Sequence, residues 1–181
     1  MPHLIVFATT MEAAHTLQKT DAKPISDCLY TSLYGHILIT GMGPEQAQKT
    51  LDQHIADFDH ILNFGIVGAL KKELLPHTFY TISQVSCLTT DSTLNLQEEG
   101  LHLLTSSTPL HDPNERDRLA KRFDLIDMEG YQFAACAKKY GKKCQLIKII
   151  SDFCTEDTSE IIRSKLPNLS ELIYKNIFSY L

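Results

Sequence analysis

The sequence predicts an α/β fold, a three-layer α/β sandwich around a central mixed sheet. A short unbroken apolar run at residues 4–8 is typical of a strand that is covered on both faces, and the largely apolar segments 60–64 and 144–150 also predict strands. Between them lie segments with apolar residues at helical spacing, of which residues 44–58 are the clearest. Strands that alternate with helices in this way pack as a largely parallel or mixed sheet with helices on both faces.

The first half of the chain predicts four strands and two helices. The helix at 44–58 is predicted because Pro44 suits a first helical position and apolar residues then follow every three to four positions. Two glycines within residues 65–70 predict a tight turn or a close approach of the backbone to a ligand. The predicted elements are strands at 4–8, 28–31, 36–40 and 60–64 and helices at 11–19 and 44–58.

The second half predicts three more strands and two more helices. Residues 108–122 contain two prolines and alternating charges, which predict a surface loop with a short helix at its end. The predicted elements are strands at 79–88, 101–105 and 144–150 and helices at 127–140 and 169–178. Because no internal repeat or linker interrupts this pattern, we expect a single domain over residues 1–181.

Composition excludes several classes of protein. The net charge is −5, from 17 basic and 22 acidic residues, and no run of Lys and Arg exceeds two, so we expect no nucleic-acid partner. No apolar run approaches the ~20 residues of a membrane span, and no basic leader precedes the first strand, so we expect a cytoplasmic protein without membrane contact. The five cysteines contain no C-x-x-C, which disfavours a disulfide framework or a zinc ribbon.

Three acidic residues stand near the ends of predicted strands. Glu12 follows the first strand, Glu129 opens the helix at 127–140, and Asp152 follows the strand at 144–150. Acids also favour helix starts through the helix dipole, so each one alone has a structural explanation. Ligands of open α/β sheets bind beyond the carboxyl ends of the strands, where these acids are expected to meet. A carboxylate pair there suits cleavage of a glycosidic bond, which needs an acid and a base but no metal.

Other chemistries have weaker sequence support. The eight histidines show no metal-binding spacing, and no G-x-S-x-G nucleophile motif is present. Gly41-x-Gly43 lacks the third glycine of a dinucleotide motif, since Gln46 stands there. These two glycines either turn a strand into a helix or face a ligand, and both readings stay open. We therefore expect neither a metal nor a cofactor.

Several segments, taken in chain order, resemble the purine nucleoside phosphorylase/nucleosidase superfamily. The resemblance covers most of the chain and is greatest to methylthioadenosine/S-adenosylhomocysteine nucleosidases and futalosine hydrolases. Its most specific part is a Met-Glu pair that opens a helix, followed by Ser-Asp after the next strand. The segments are Ala8-Thr9-Thr10-Met11-Glu12-Ala13, Thr40-Gly41-Met42-Gly43, Asn63-Phe64-Gly65-Ile66-Val67-Gly68-Ala69-Leu70, Asp127-Met128-Glu129-Gly130 and Ile150-Ser151-Asp152.

The resemblance implies a nucleoside phosphorylase-like fold and a role for each matching residue. Glu12 is expected to activate water, Met128 and Glu129 to hold the ribose, and Asp152 to protonate N7 of the purine. Further substrate-binding positions are expected at Phe64, Val67, Gly68 and Ser151. The family resemblance also implies a homodimer in which the partner chain helps to close the pocket around the 5′ substituent.

The chain departs from the family pattern at positions that bear on the reaction. Ile66 replaces a hydroxyl residue, which disfavours a phosphate site, and Lys148 stands where an Arg is usual. A protonated Asp152 suits N7 of a 6-aminopurine, so adenine is the expected base. The expected reaction is hydrolysis of 5′-substituted adenine nucleosides, with 6-amino-6-deoxyfutalosine of menaquinone biosynthesis, methylthioadenosine and S-adenosylhomocysteine as equal candidates.

Two alternatives to hydrolysis stay open at this point. A phosphorylase would need cationic and hydroxyl groups around phosphate, and Lys148 is the obvious candidate ligand. A catalytically silent nucleoside-binding module of the same fold is the other alternative, although the presence of both Glu12 and Asp152 counts against it.

Overall fold

The predicted α/β architecture is confirmed in a computed structural model, which describes residues 3–155 and 158–181. Within these residues, one mixed sheet of ten strands is flanked by helices on both faces. The strands are β1 (His3–Phe7), β2 (Lys23–Pro24), β3 (Leu29–Ser32), β4 (Gly35–Ile39), β5 (His60–Ala69), β6 (Phe79–Cys87), β7 (Ser92–Asn95), β8 (Leu101–Thr105), β9 (Leu125–Asp127) and β10 (Lys143–Asp152). The helices are α1 (Thr10–Lys19), α2 (Pro44–His54), α3 (Pro113–Leu119), α4 (Gly130–Lys139) and α5 (Thr158–Ile177).

Two long strands, β5 and β10, organise the sheet. They run parallel to each other over their whole length, and β1 and β4 continue the parallel arrangement on the other side of β5. β10 also pairs with β6, β6 with β8, β8 with β9, and β9 with the last residues of β5. This ring of pairings closes one half of the sheet on itself. Because β1, β5 and β10 are parallel, their carboxyl ends lie at the same edge of the sheet.

The two faces of the sheet bury separate apolar clusters. One cluster packs β1, β5 and β10 against α1 and α5, and its helical members include Ala13, Leu169 and Ile173. The other packs the sheet against α2 and α4, with Leu51 and Phe133 among its fully buried side chains. These are the three layers that the sequence predicts. No helix among the described residues is long and apolar enough to cross a membrane.

Of the two alternatives predicted for the glycines within residues 65–70, the structure excludes the tight turn. β5 runs straight through Gly65 and Gly68 to Ala69. Each glycine instead allows another side chain to approach the strand closely. A Cβ atom at Gly65 would lie 3.3 Å from Nζ of Lys148, and one at Gly68 would overlap Sγ of Cys154. The glycines therefore serve packing within the sheet rather than a reversal of the chain.

Other boundaries also differ from the sequence expectation. The short strands β2, β7 and β9 were not predicted, and β9 occupies the start of the helix predicted at 127–140. The short helix predicted at the end of the 108–122 loop is present as α3, where the Asp112 side chain accepts a hydrogen bond from the N–H of Asn114. α5 begins well before residue 169 and contains Pro167. Packing of its buried residues on α1 and on the sheet outweighs the helix-breaking tendency of proline.

Gly100, which precedes β8, provides a test of the β6–β8 packing. Its φ of +140° disfavours other residues, and a Cβ there would lie 2.6 Å from the Thr81 carbonyl oxygen. Gly100→Ala should therefore lower the free energy of unfolding by at least about 2 kcal/mol, from backbone strain and overlap together. Urea denaturation measures this change.

Gly141→Ala is the matched control for that substitution. Gly141 also has a positive φ, of +65°, but nothing lies within 4 Å of the position of its Cβ. Only the strain of about 1 kcal/mol should appear there. Equal losses in the two variants would contradict the close β6–β8 contact at Gly100.

Candidate active site

A cavity of about 240 Å³ lies beyond the carboxyl ends of β1, β5 and β10. β9, which runs antiparallel to the end of β5, brings the Asp127-Met128-Glu129 segment to the same place. The lining residues are Ala8, Thr9, Glu12, Met42, Ile66, Val67, Gly68, Thr108, Pro109, Leu110, Ile126, Asp127, Met128, Glu129, Ser151, Asp152, Cys154, Ile162 and Leu166.

The structure brings seven of the eight predicted site residues to this cavity. Glu12, Glu129 and Asp152 all line it and are at most 8% exposed. The other four are Met128, Val67, Gly68 and Ser151. The three separate sequence segments that carry the acids therefore meet at one place, as expected for strand ends in an α/β sheet.

Glu12 is held by hydrogen bonds from two directions. Its Oε2 accepts from the backbone N–H of Thr9 at 2.9 Å and from the Thr9 hydroxyl at 3.1 Å, and its Oε1 accepts from the N–H of Ile66 at 3.1 Å. The Glu12 N–H in turn donates to the Thr9 hydroxyl, which completes a capping box at the start of α1. Burial raises the pKa of Glu12, against the effect of these hydrogen bonds and of the charge on Lys148.

Glu129 is positioned by the turn that precedes α2. Its Oε1 accepts a hydrogen bond of 2.6 Å from the N–H of Gly43, whose φ of +87° suits glycine. The Gly41-x-Gly43 turn thus both connects β4 to α2 and contacts a wall residue of the cavity. Burial and the neighbouring charge of Asp127 raise the pKa of Glu129 to about 7.

Asp152 ends β10 and has both oxygens engaged. Oδ1 accepts a 2.6 Å hydrogen bond from the Ser151 hydroxyl, and Oδ2 accepts one of 2.9 Å from the N–H of Cys154. Cys154 adopts a φ of +51°, and its Sγ lies over Gly68. Burial, reinforced by the charge of Asp152, raises the pKa of the Cys154 thiol to about 12, so this cysteine is an uncharged wall of the cavity.

A buried ion pair connects the acid-bearing segments. Nζ of Lys148, in the middle of β10, lies 2.8 Å from Oδ2 of Asp127, and both side chains are almost fully buried. Oδ1 of Asp127 accepts from the Thr105 hydroxyl at 2.7 Å, and both Asp127 oxygens lie within hydrogen-bond distance of the N–H of Gly130. Lys148 is therefore neutralised behind the cavity wall.

The binding role predicted for Phe64 is corrected. Its side chain is completely buried on the α1–α5 face of the sheet and does not line the cavity. The ring packs against those of Phe7 and Tyr180, with centroids 6.4 and 5.7 Å away. Phe64 lies two residues before Ile66, the first β5 residue that lines the cavity, so its side chain belongs to the core.

Sequence reasoning also missed several wall residues. Asp127 directly precedes the Met-Glu pair, and its place in that motif was a usable signal. Met42 lies within the quoted Thr40-Gly41-Met42-Gly43 segment, which was a similar signal. Cys154, the 108–110 loop and two residues of α5, Ile162 and Leu166, give no local signal, because tertiary packing alone brings them to the wall. Across the described parts of the chain, no group of three or more His, Cys, Asp or Glu is arranged to hold a metal ion.

The arrangement of strands and helices is a nucleoside phosphorylase-like fold. A family model described as the phosphorylase superfamily matches residues 98–175. The resemblance to this superfamily that the sequence motifs predict is thus confirmed. No curated protein sequence matches the chain.

Solved structures of two kinds of enzyme share the fold. MTAN from Chlamydia trachomatis, as an Asp-to-Asn variant bound to MTA, has a TM-score of 0.88 and 23% identity, over 99% of this chain and 97% of that chain. A futalosine hydrolase mutant from Helicobacter pylori has a TM-score of 0.86 and 15% identity, over 99% and 98%. An Asp-to-Asn MTAN mutant of Helicobacter pylori, with 5′-methylthioadenosine in its active site, has a TM-score of 0.83 and 15% identity, over 98% and 96%.

The raised pKa of Glu129 predicts a pH-dependent stability effect. The folded protein holds this proton up to about pH 7, whereas the ordinary value is 4.5, so the stability of the folded state falls as the pH rises between these values. Glu129→Gln removes the ionisable group and with it this pH-dependent loss of stability. The variant should gain stability relative to the unmodified chain between about pH 4 and about pH 8, by about 1.4 kcal/mol for each unit of pKa shift.

Denaturant titrations at several pH values measure that difference. Glu98→Gln is the control, because Glu98 is exposed and far along the chain from the cavity residues. Its stability relative to the unmodified chain should not depend on pH. A Glu129→Gln difference that is equally flat across this range would contradict the buried, proton-retaining state of Glu129.

Proposed function

We propose that this chain is a nucleosidase that hydrolyses the N-glycosidic bond of 5′-substituted adenine nucleosides and releases adenine without a cofactor. The observation that carries the proposal is the convergence of Glu12, Glu129 and Asp152 on one buried cavity. Glycosidic cleavage needs an acid for the leaving group and a base for water on opposite sides of the sugar. Structures that share this fold contain MTA or 5′-methylthioadenosine, which supports a nucleoside ligand.

Asp152 is the proposed general acid toward N7 of the base. Its Ser151 neighbour can serve both protonation states, because the Ser151 Oγ lies 2.6 Å from Oδ1 of Asp152 and 3.1 Å from the Val67 carbonyl oxygen. When Asp152 is ionised, the hydroxyl donates to it. When Asp152 is protonated on Oδ2, the Ser151 hydroxyl still donates to Oδ1. When Asp152 is protonated on Oδ1, the Ser151 hydroxyl donates to the Val67 carbonyl oxygen and accepts the hydrogen bond from Asp152.

Glu12 is the proposed base for water. A carboxylate offers about four acceptor positions. Three of them on Glu12 are used by Thr9 and Ile66, and the one that is left belongs to Oε1. A water there would be oriented by a fixed carboxylate, and the raised pKa of Glu12 makes it a stronger base than an exposed glutamate. The contact from Ile66 uses its backbone N–H, so it does not require the hydroxyl side chain that Ile66 replaces.

Glu129 is the proposed ribose ligand. Oε1 is bound by Gly43, whereas Oε2 has no hydrogen bond to the described residues and can accept from a sugar hydroxyl. Met128 and Val67 provide apolar wall beside it. Holding the ribose in this way fixes the anomeric carbon between Asp152 and the water on Glu12.

The cavity wall supports an uncharged 5′ substituent. No Lys, Arg or His is among the described residues that line the cavity, and much of the wall is apolar. The apolar members include Met42, Ile66, Leu110, Ile162 and Leu166. A methylthio group suits such a wall better than the charged substituents of S-adenosylhomocysteine or 6-amino-6-deoxyfutalosine, since an unpaired charge is costly to bury. Methylthioadenosine is therefore the favoured substrate, and methionine salvage the favoured pathway over menaquinone biosynthesis.

The same wall disfavours phosphorolysis. A phosphate dianion beside the anomeric carbon would need cationic or multiple N–H donors. Lys148 is already paired with Asp127, and Nζ of Lys165 donates to the backbone carbonyl of Ser151 at 3.1 Å.

The homodimer implied by the family resemblance stays a prediction. It is supported by the 70% exposure of Met42, a wall residue that a partner chain would cover.

The division of roles among the acids predicts different defects. Asp152→Asn should reduce turnover ~10²-fold or more, because the leaving base loses its proton donor. Glu12→Gln should likewise lose turnover while it still binds unreacted methylthioadenosine, because the base acts on water and not on the nucleoside. Glu129→Gln should weaken nucleoside binding as well. Adenine release and calorimetric binding, with Glu98→Gln as the exposed control, measure these effects.

Two results would contradict these roles. Near-normal adenine release by Asp152→Asn would exclude it as the general acid. Loss of binding with normal turnover at saturation in Glu12→Gln would mean that Glu12 binds the nucleoside rather than activates water.

Hydrolysis predicts free sugar as the second product. The chain should release adenine and a 5-substituted ribose in phosphate-free buffer, and added phosphate should not raise the rate, because the wall offers it no cation. Chromatography of products from methylthioadenosine, S-adenosylhomocysteine, 6-amino-6-deoxyfutalosine, futalosine and inosine measures both base and 5′ preference. A sugar 1-phosphate as main product would establish a phosphorylase, and no product from any of the five with measurable binding would establish a silent binding module.

A further inference from the structure

A second concavity lies at the opposite end of the strands from the acid-lined cavity. It has a volume of about 640 Å³ and is bordered by the first residues of β5 and β10, the last turn of α4 and the residues after β7. Its basic side chains are Lys138, Lys142, Lys143 and His60. We call this concavity the lysine groove.

The groove exists because two strands part. β10 pairs with β5 from Lys143 onward, but it pairs with β6 only at Ile147–Ile149. The residues of β6 from Ile82 onward pair with β7 and β8 instead. Residues 143–146 of β10 therefore have no strand beside them on the β6 side in the described part of the chain. The gap is a fixed feature of the sheet and not a surface irregularity.

The charges of the lysine groove are not neutralised by neighbouring carboxylates. No Asp or Glu lines it, and Lys138, Lys142 and Lys143 make no ion pair with any described residue. By contrast, the adjacent Lys139 is paired with Asp52 at 2.9 Å. Three unpaired lysines in one concavity are notable in a chain whose net charge is −5.

Favourable interaction with the end of a helix explains only part of this cluster. Lysines are favoured in the last turn of a helix, where Lys138 lies, and Nζ of Lys142 donates to the Ala56 carbonyl at 2.9 Å. Lys143 lies on β10 and has no such role. His60 adds to the same surface, and burial together with the charges of His3 and Lys143 lowers its pKa, which agrees with a positive local potential.

The floor of the groove is apolar, and its sides carry amide groups. Leu94, Leu96 and Ala134 form the apolar part, and Asn95, Gln97 and Gln145 offer side-chain amides. The volume is that of a small-molecule site, which typically spans about 300–1,000 Å³. A cationic rim over an apolar floor suits a ligand that has a flat apolar body and several negative charges.

We propose that the lysine groove binds a nucleoside di- or triphosphate, with the phosphates on the three lysines and the base against the leucine floor. Inorganic polyphosphate would use the lysines alone and leave the floor exposed. The volume of about 640 Å³ suits a ligand of nucleotide size better than an acidic peptide. The site is separate from the acid-lined cavity, whose carboxylates repel phosphate groups.

ATP binding, measured by calorimetry at low ionic strength in the presence of saturating adenine, tests the proposal. Adenine occupies the acid-lined cavity if the proposed function is right. Glu129→Gln changes that cavity and therefore tests independently whether ATP binds in it. If ATP binds in the lysine groove, this variant should leave ATP affinity unchanged. Lys138→Gln, Lys142→Gln and Lys143→Gln, combined, should weaken ATP binding at least about tenfold. The matched control combines Lys19→Gln, Lys49→Gln and Lys121→Gln, which remove the same charge from exposed positions elsewhere; it should bind ATP normally.

Each other outcome overturns the proposal. Absence of ATP binding at millimolar concentration, or equal losses in the two triple variants, would exclude a site in the lysine groove. Tripolyphosphate that binds as tightly as ATP would exclude a role for the apolar floor. A tetraglutamate peptide that binds more tightly than ATP would assign the groove to a protein partner. Circular dichroism of both triple variants confirms that the fold is retained, and the proposed hydrolysis of methylthioadenosine is unaffected by any of these results.

Discussion

The ion pair between Lys148 and Asp127 is the constraint on which the site depends. Both charges are buried, so each would be strongly destabilising without the other. The pair joins the middle of β10 to the end of β9, and Asp127 is fixed further by Thr105 and Gly130. Because Asp127 precedes Met128 and Glu129, this one interaction determines where these two residues lie relative to the strand that carries Asp152.

The same ion pair sets the electrostatics of the acids. Lys148 lowers the pKa values of both Glu12 and Glu129, whereas the charge of Asp127 raises that of Glu129. Burial remains the larger effect in each case, so both pKa values end above their ordinary range. Glu129, with a pKa of about 7, therefore exchanges its proton near neutral pH. The raised pKa of Glu12 makes its carboxylate a stronger base, which suits the role proposed for it.

The sequence predicted the layers and most of the acids because those depend on local patterns. Apolar runs identify buried strands that Glu12 and Asp152 follow, whereas Glu129 was placed by the Met-Glu pair that opens a predicted helix. The failures share a physical cause, which is packing between distant segments. Gly65 and Gly68 suggest a turn when considered locally, but in the sheet they make room for Lys148 and Cys154. Phe64 likewise belongs to the core because β5 first reaches the cavity two residues later, at Ile66.

Charge is segregated along the strands, and this segregation bears on which ligands each end accepts. At the carboxyl ends the lining is acidic and the nearby cations are paired or bound to backbone, so a neutral nucleoside can enter where its phosphorylated form would face repulsion. At the opposite ends three lysines stand without acidic partners among the described residues. Under the two proposals, one sheet separates the unphosphorylated and the phosphorylated forms of the same kind of molecule by electrostatics. The acid-lined cavity needs no specific contact to distinguish a nucleoside from its phosphorylated form. The unfavourable burial of an unpaired phosphate is sufficient to exclude the phosphorylated form.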